Sequence, residues 1–542
     1  MDSQKVNVLN TAELIDALLD PESYPHPVDV ITTIETHISI VFLTGQFAYK
    51  LKKPVNFGFL DFSSLEQRKQ FCNLEVCLNK RTAPDLYLNV CGISTDKNGL
   101  LQITPISENN DKHSKAFEYL VKMKQFDPNQ VLGRLLNNHS LNHTMIELLS
   151  QQIADFHLQA ETVDFSSDFG RPKTQLQPML DNFPTLIQHF TDQQNQAKLS
   201  TLLNWTNASF EQLTQTLIQR RNEGFIRACH GDLHLDNITL IDEQPVLFDG
   251  IEFNDYFRWI DVISDLAFLM IDLDFREQTA TSWQVLSLYL SRTLDYKSLY
   301  LLNFYRVYRT LVRAKITSLR AQQLPNDSLE QKSINGKALK YIDQALNYTQ
   351  LTEQPKCILL QGVSGSGKSH FANQLLEEFD HFNAIIISSD RIRKSLFGIT
   401  AQTRVSAEQR IKLYSNEMNQ KTYKALEKYA SICLGLGFNV IVDATFLKLE
   451  HRKKFYQLSE QHDAFNYLFS LETSESLAAD SITLRQQVNS NPSDADINIM
   501  QRQLTIIEAP SNHENALILN ASNLRHVFPK ASIQEFLNLP LN

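Results

Sequence analysis

The chain has 542 residues, 42% of them hydrophobic, with 61 acidic against 51 basic side chains and a net charge of -10. At roughly 150 residues per domain this predicts several globular domains with sizeable cores. The acidic balance excludes a protein that coats nucleic acid or an anionic membrane by bulk electrostatics, while leaving room for a local basic groove.

Residues 1–25 predict a short helix, with Asn10 as N-cap and Glu13 three residues on. No basic segment followed by an apolar run precedes it, so no signal peptide is expected. β-type runs fill 30–60, and a charged helix is predicted over Ser64–Arg81. Strands are expected over Leu86–Ile93 and Leu100–Ile106, then mostly helix from Lys124 to Arg220. A β-rich patch, Ile226–Phe253, interrupts the helices, which resume and run to Gln350. The polar stretch Gln322–Gly336, with Pro325, Asn326 and Asp327, reads as a loop, and 348–356 as a linker. A boundary near 354 therefore divides the chain into domains 1–350 and 354–542. Beyond it, apolar runs at Ala384–Ile387, Phe438–Val442 and Tyr467–Leu471 alternate with helical stretches, the pattern of a parallel α/β sheet.

Two constellations carry chemistry. The first is His230-Gly231-Asp232-Leu233-His234-Leu235-Asp236-Asn237, followed by Asp249-Gly250 at the end of a strand. Phosphoryl transfer needs positioning and charge neutralisation. Asp232 would accept or orient a substrate hydroxyl, and Asn237 and Asp249 would hold metal ions that bridge ATP phosphates. His230 would brace the loop. The alternative is a polar loop with chance carboxylates.

Phe47-Ala48-Tyr49-Lys50 resembles the lysine strand of the kinase fold, V-A-I-K. By that resemblance Lys50 meets the α- and β-phosphates, with Lys52 and Lys53 as competitors. Glu75 is then its ion-pair partner or an ordinary solvated helix residue. Residues 117–123 stand where a hinge between lobes would lie. A full G-x-G-x-x-G loop is missing, with only Gly45 shortly before Lys50. Residues 1 to about 350 thus resemble the aminoglycoside phosphotransferase and choline kinase superfamily, a bilobal protein-kinase-like fold. The resemblance makes Asp265 a brace of the catalytic loop and His157 a packed structural histidine. The His-Gly-Asp form and the lack of an A-P-E segment favour small molecules over protein substrates.

The second constellation, Gly362-Val363-Ser364-Gly365-Ser366-Gly367-Lys368-Ser369, matches G-x-x-x-x-G-K-[ST] in full. Its glycines let backbone N–H groups turn inward to cradle phosphate oxygens, Lys368 can reach the β- and γ-phosphates, and the Ser369 hydroxyl can ligate Mg2+; the alternative is a Gly-rich turn with no ligand. The chain has only 16 glycines, yet three fall within this motif. Asp390 follows the second apolar run, where it can accept a hydroxyl proton or N-cap the next helix, and Arg393 can grip a phosphate or carboxylate. Asp443 ends a buried run, where it orders a metal ion or caps a turn.

From Cys357 to about Gln503 the chain resembles the P-loop kinases that include polynucleotide kinase and gluconate kinase, on GVSGSGKS, SSDRIRKSLFG, VIVDATF and PSDAD. The resemblance makes Asp390 the base for the acceptor hydroxyl and places Arg393 near the acceptor. It also makes Arg485 the lid arginine on the ATP phosphates, unless Arg485 is a solvated helix residue. Two lid arginines are usual there, whereas this chain reads Ser481-Ile482-Thr483-Leu484-Arg485. The order of the two domains resembles a bacterial two-domain group labelled aminoglycoside phosphotransferase-like.

The expectation is an ATP- and Mg2+-dependent phosphotransferase that acts on hydroxyl groups of small molecules. One alternative is a nucleotide or polynucleotide kinase in the P-loop domain, and another is a regulatory ATP-binding pseudokinase in one domain. Six scattered cysteines fit reduced thiols, and no run of ~20 apolar residues predicts a membrane span. A cytoplasmic protein is expected.

Overall fold

The computed structural model describes residues 11–58, 60–96, 100–106, 116–136, 141–350, 354–379, 382–488, 493–524 and 526–539, with the backbone alone from 485 to 488. The expected cap Asn10, part of the 348–356 linker and the side chain of Arg485 lie outside the described residues. Contacts divide the chain into two compact units. The first joins Met1–Ser140, Gln159–Gln175 and Ile218–Asp265, and the second joins Leu141–Leu158, Leu176–Leu217 and Leu266–Asn542. This division is not linear, and the second unit places helices from before residue 354 with everything after it.

In the first unit, β1 (Thr32–Glu35), β2 (Ser39–Leu43), β3 (Phe47–Lys52), β4 (Tyr87–Thr95), β5 (Leu101–Pro105) and β6 (Glu118–Lys124) form one antiparallel sheet, order β1-β2-β3-β6-β4-β5. Residues 117–123, expected at a hinge, instead lie almost wholly in inner strand β6, laddered to β3 and β4 on its two sides. Their alternating Tyr119, Val121 and Met123 belong to a shared core and are too apolar for a linker.

The helix Leu65–Asn79 opens with a capping box in which Ser64 and Gln67 satisfy each other's backbone N–H groups. It packs Cys72 and Val76 on Ala48, Tyr87 and Val121. Period-2 alternation puts Lys50 and Lys52 on one face of β3. Two short antiparallel ribbons complete the unit: β8 (Ile238–Ile241) with β9 (Gln244–Leu247), and β7 (Ile226–Ala228) with β10 (Trp259–Asp261).

In the second unit, the helices Leu299–Gln322 and Leu329–Asn347 share a core of Val307, Leu311, Ala338 and Tyr341. The loop expected over 322–336 shrinks to the residues between these helices. Ser328 accepts from the Gln331 N–H at 3.0 Å and starts the second helix, so the polar residues after it form a solvent-facing first turn.

The parallel sheet has β11 (Lys356–Gln361), β12 (Ala384–Ser388), β13 (Asn439–Asp443), β14 (Phe465–Glu472) and β15 (Ala516–Asn520) in the order β12-β13-β11-β14-β15. All six residues of central β11 are buried, as a strand covered on both faces requires. Among the described residues no helix is long and apolar enough to cross a membrane.

Candidate functional site

Each unit gathers one of the two constellations. In the first unit, Lys50 Nζ lies 2.9 Å from Glu75 Oε1 and 2.5 Å from Asp249 Oδ1. Lys52 Nζ takes the other Glu75 oxygen at 2.5 Å and also pairs with Glu252. Glu75 is wholly buried, which removes the solvated alternative. Burial alone would raise its carboxyl, but the two lysines outweigh that and hold it down at about 2. Burial likewise works against the Lys50 cation, and Asp249 and Glu75 reverse the sign and hold it well above the usual lysine range. Lys53 is the outlying lysine, paired with Glu35 and bonded to the Thr36 carbonyl at 2.7 Å.

The His-x-Asp loop is braced from beneath. Asp265 accepts from the His230 and Gly231 N–H groups, both at 2.9 Å. His230 Nε2 meets the Phe248 carbonyl at 2.9 Å, and burial lowers the ring's basicity, so His230 serves as a neutral strut. Gly231 has φ +85°, and a Cβ there would stand 2.8 Å from the Phe257 carbonyl oxygen, so only glycine fits without a shift.

Asn237 Nδ2 donates to the Asp232 carbonyl at 2.9 Å and to Asp232 Oδ2 at 3.0 Å. The Phe248 N–H donates to the Asn237 carbonyl at 3.0 Å, which brings Asp249 beside the loop. Asp249 itself has φ +61°, a left-handed conformation that a non-glycine residue holds only when its surroundings fix it. Here the Tyr87 hydroxyl accepts its N–H at 3.1 Å, and Asn79 Oδ1 accepts the next N–H at 2.8 Å. Lys50, Glu75, Asp232, Asn237 and Asp249 thus belong to one compact unit, with amide and carboxylate oxygens of the kind Mg2+ takes.

Sequence reasoning missed Glu252, 5% exposed and paired with Lys52. The available signal was a second lysine two residues after Lys50, on the same strand face, which demanded a second carboxylate.

In the second unit, the loop between β11 and the helix Lys368–Glu378 turns on three glycines with positive φ. A Cβ on Gly365 would come within 2.5 Å of the Ala478 carbonyl oxygen, and one on Gly362 within 2.5 Å of Ser366 Oγ. Lys368 Nζ bonds the Gly362 and Val363 carbonyls, each at 2.9 Å, and Ser369 Oγ donates to Asp443 Oδ2 at 2.6 Å. Asp443 ends β13 in register with Leu360 of β11 and Ser388 of β12, at the carboxyl edge where open α/β sheets bind ligands. Burial raises its carboxyl against the pull of Lys368 and the Ser369 hydrogen bond. A hydroxyl and a carboxylate at this corner are hard oxygen donors suited to Mg2+.

Asp390 lies in the first turn of the helix Ser389–Phe397, whose N-cap is Ser388, so the alternative that Asp390 caps the helix falls away. Arg393, 6% exposed, donates to Asn419 Oδ1 at 2.6 Å and stacks its guanidinium 5.0 Å from the Tyr414 ring centre. Its Nε stands 3.9 Å from Asp390 Oδ1 and has no hydrogen-bond partner. Asp494 of the PSDAD segment pairs with buried Lys394 at 2.7 Å. A cavity of about 1070 Å³ is lined by Gly365, Lys368, Ser369, Asp390, Arg393 and Asp443, and also by Arg502 and Gln503, which sequence reasoning did not single out. Gln503 Oε1 accepts the Ser364 N–H of the loop at 2.7 Å.

Residues 357–510 match the AAA domain family. An uncharacterized protein of Mycobacterium tuberculosis is 28% identical over 473 residues, 86% of this chain and 89% of that protein. One of Mycobacterium bovis matches to the same extent. Among solved structures, a gluconokinase from Sinorhizobium meliloti aligns at 21% identity over 34% of this chain and 90% of its own, with a TM-score of 0.24. A choline/ethanolamine kinase family protein from Mesorhizobium loti aligns at 8% identity over 62% of this chain and 97% of its own, with a TM-score of 0.37.

Proposed function

We propose that the protein is a two-domain ATP- and Mg2+-dependent phosphotransferase acting on hydroxyl groups of small molecules, with one site in residues 1–350 and the other in 354–542. The observation that carries this reading is the cavity in which the phosphate loop, the Ser369–Asp443 pair and the Asp390–Arg393 pair meet. Phosphoryl transfer asks for a phosphate cradle, a metal that bridges phosphate oxygens, and an oriented hydroxyl. The loop amides and Lys368 serve as the cradle, and Ser369 and Asp443 would hold Mg2+, which neutralises charge building on the phosphates. Asp390 accepts the proton of the attacking hydroxyl, and Arg393 binds an anionic group of the acceptor. In the N-terminal site, Lys50, fixed by Glu75, meets the phosphates. Asn237 and Asp249 would hold metal, and Asp232 orients the acceptor hydroxyl.

Lys424, Lys448 and Lys454 line the same cavity as Arg393. They favour a second reading for the P-loop site, a nucleotide or polynucleotide end as acceptor.

The test is ATP turnover by the full chain and its Asp232→Asn and Asp390→Asn variants, with Mg2+ or with chelator, against a panel of hydroxyl acceptors including nucleotides and aminoglycosides. Two acceptors, each lost with one variant by about a hundredfold or more, support two active kinases. Turnover that neither variant lowers overturns the reading, and loss with only one leaves the other domain as a regulatory nucleotide-binding module.

A further inference from the structure

The helix Ser389–Phe397, which carries Asp390 and Arg393, also carries Arg391 between them. Arg391 turns away from both. Its guanidinium pairs with Glu147, a residue of the helix His143–Gln159, more than two hundred positions earlier in the chain and in the same compact unit. Glu147 is 7% exposed, and His143, one turn before it, approaches the same carboxylate at 3.3 Å. A cavity of about 140 Å³ is walled by His143, Glu147, Ser287, Arg391, Ser369 and Asp443. Arg391 therefore lines the same small cavity as the corner where Ser369 meets Asp443.

The surrounding scaffold fixes this arrangement. β12 is an edge strand of the parallel sheet, and edge strands leave backbone groups to be satisfied elsewhere. The helix Thr279–Thr293 covers it: Ser287 Oγ accepts the Ile386 N–H at 3.0 Å, and the Ser291 carbonyl accepts from Ser395 Oγ at 2.7 Å.

An arginine fork matches a carboxylate in two-point geometry. A guanidinium beside Asp443 with no other partner would compete with a metal ion for that carboxylate. Glu147 removes that competitor by occupying it.

On this basis, which rests on the P-loop reading above, we infer that Glu147 is a positioning residue for the P-loop site: it holds Arg391 off Asp443 and so keeps the metal corner open. A helix from the part of the chain before residue 354 thereby sets the metal affinity of the nucleotide site that follows.

The experiment uses the full chain in a Lys50→Ala background, which silences the other nucleotide site. It measures Mg2+-dependent binding of a non-hydrolysable ATP analogue by calorimetry, with no turnover involved. Glu147→Ala should raise the Mg2+ concentration for half-maximal binding roughly tenfold, within the usual span of coupling between sites. Glu147→Ala with Arg391→Ala should return it close to the starting value, because the competitor is gone as well. A purely structural role predicts the opposite, since a second deletion in the same interface would deepen the damage. An unchanged Mg2+ requirement in Glu147→Ala, or no recovery in the double variant, overturns the inference and leaves the P-loop reading intact. Failure of the Lys50→Ala protein to bind the analogue at all overturns the reading and the inference together. Thermal unfolding of each variant, measured without nucleotide, separates loss of fold from loss of metal affinity.

Discussion

Glu75 holds two lysines with one carboxylate, one oxygen each, at 2.9 and 2.5 Å. Replacing it with alanine leaves two buried cations short of a partner, so Glu75→Ala should destabilise the fold by about 3–5 kcal/mol in urea unfolding. The lysines themselves should separate by readout. Lys52 is 2% exposed and also tied to Glu252, whereas Lys50 reaches Asp249. Lys52→Ala should therefore act mainly on stability, and Lys50→Ala mainly on nucleotide affinity. Equal effects of the two on nucleotide binding would contradict these assignments.

The Glu75 carboxyl also sets a pH dependence. Its folded value, about 2, lies below that of an unfolded glutamate, near ~4.3. Its stabilising contribution is thus complete above the unfolded value and is lost as pH falls from there toward 2. Acid unfolding of the wild type should steepen across that window, and the Glu75→Gln variant should lack that component.

At the scale of single elements, the phosphate loop and one capped helix are the exposed points. Gly365 sits at φ +89° against the Ala478 carbonyl, so Gly365→Ala adds strain and a clash and forces the loop open. Nucleotide binding at the P-loop should fall by at least about tenfold while the fold is retained, since a few kcal/mol of local strain can be met by moving the loop. Ser64 tells the opposite story. It closes a capping box on the helix that carries Glu75, and Ser64→Ala should cost about 1 kcal/mol, visible as an earlier unfolding midpoint with little change in nucleotide affinity at saturation.

At the scale of the molecule, the parallel sheet is built together with helices that precede it in sequence. Within the second unit the Trp283 and Phe438 rings lie 5.8 Å apart, and Tyr296 stacks on Tyr429 at 4.1 Å. A fragment beginning at residue 354 would uncover Phe438, Tyr429 and the β12 edge. It should bind an apolar dye and unfold at a lower temperature than the same region in the full chain. A fragment that unfolds at the full chain's temperature would show that those helices contribute nothing to its stability.

The phosphate loop, the strand before it and the helix after it were legible in the sequence because local chemistry writes them. Three glycines, a lysine and a serine at fixed spacing specify a backbone shape and a charge without reference to the rest of the chain. The same holds for the capping box at Ser64 and for the alternating strands. Of the pairs that join these motifs into sites, Glu75 on Lys50 was named through the kinase-fold resemblance, but others were not legible. Glu252 on Lys52 and Glu147 on Arg391 join residues 200 and 244 positions apart, and Asp265 under His230, 35 positions away, was named only through the family resemblance. Nothing local sets their partners, since a buried charge accepts whichever opposite charge the fold delivers. The sequence alone therefore determined the local motifs and the strands and helices that carry them. Only tertiary structure decided between the alternatives for Glu75 and gave Lys52 and Arg391 their carboxylates, because that choice follows from packing and burial across the whole unit.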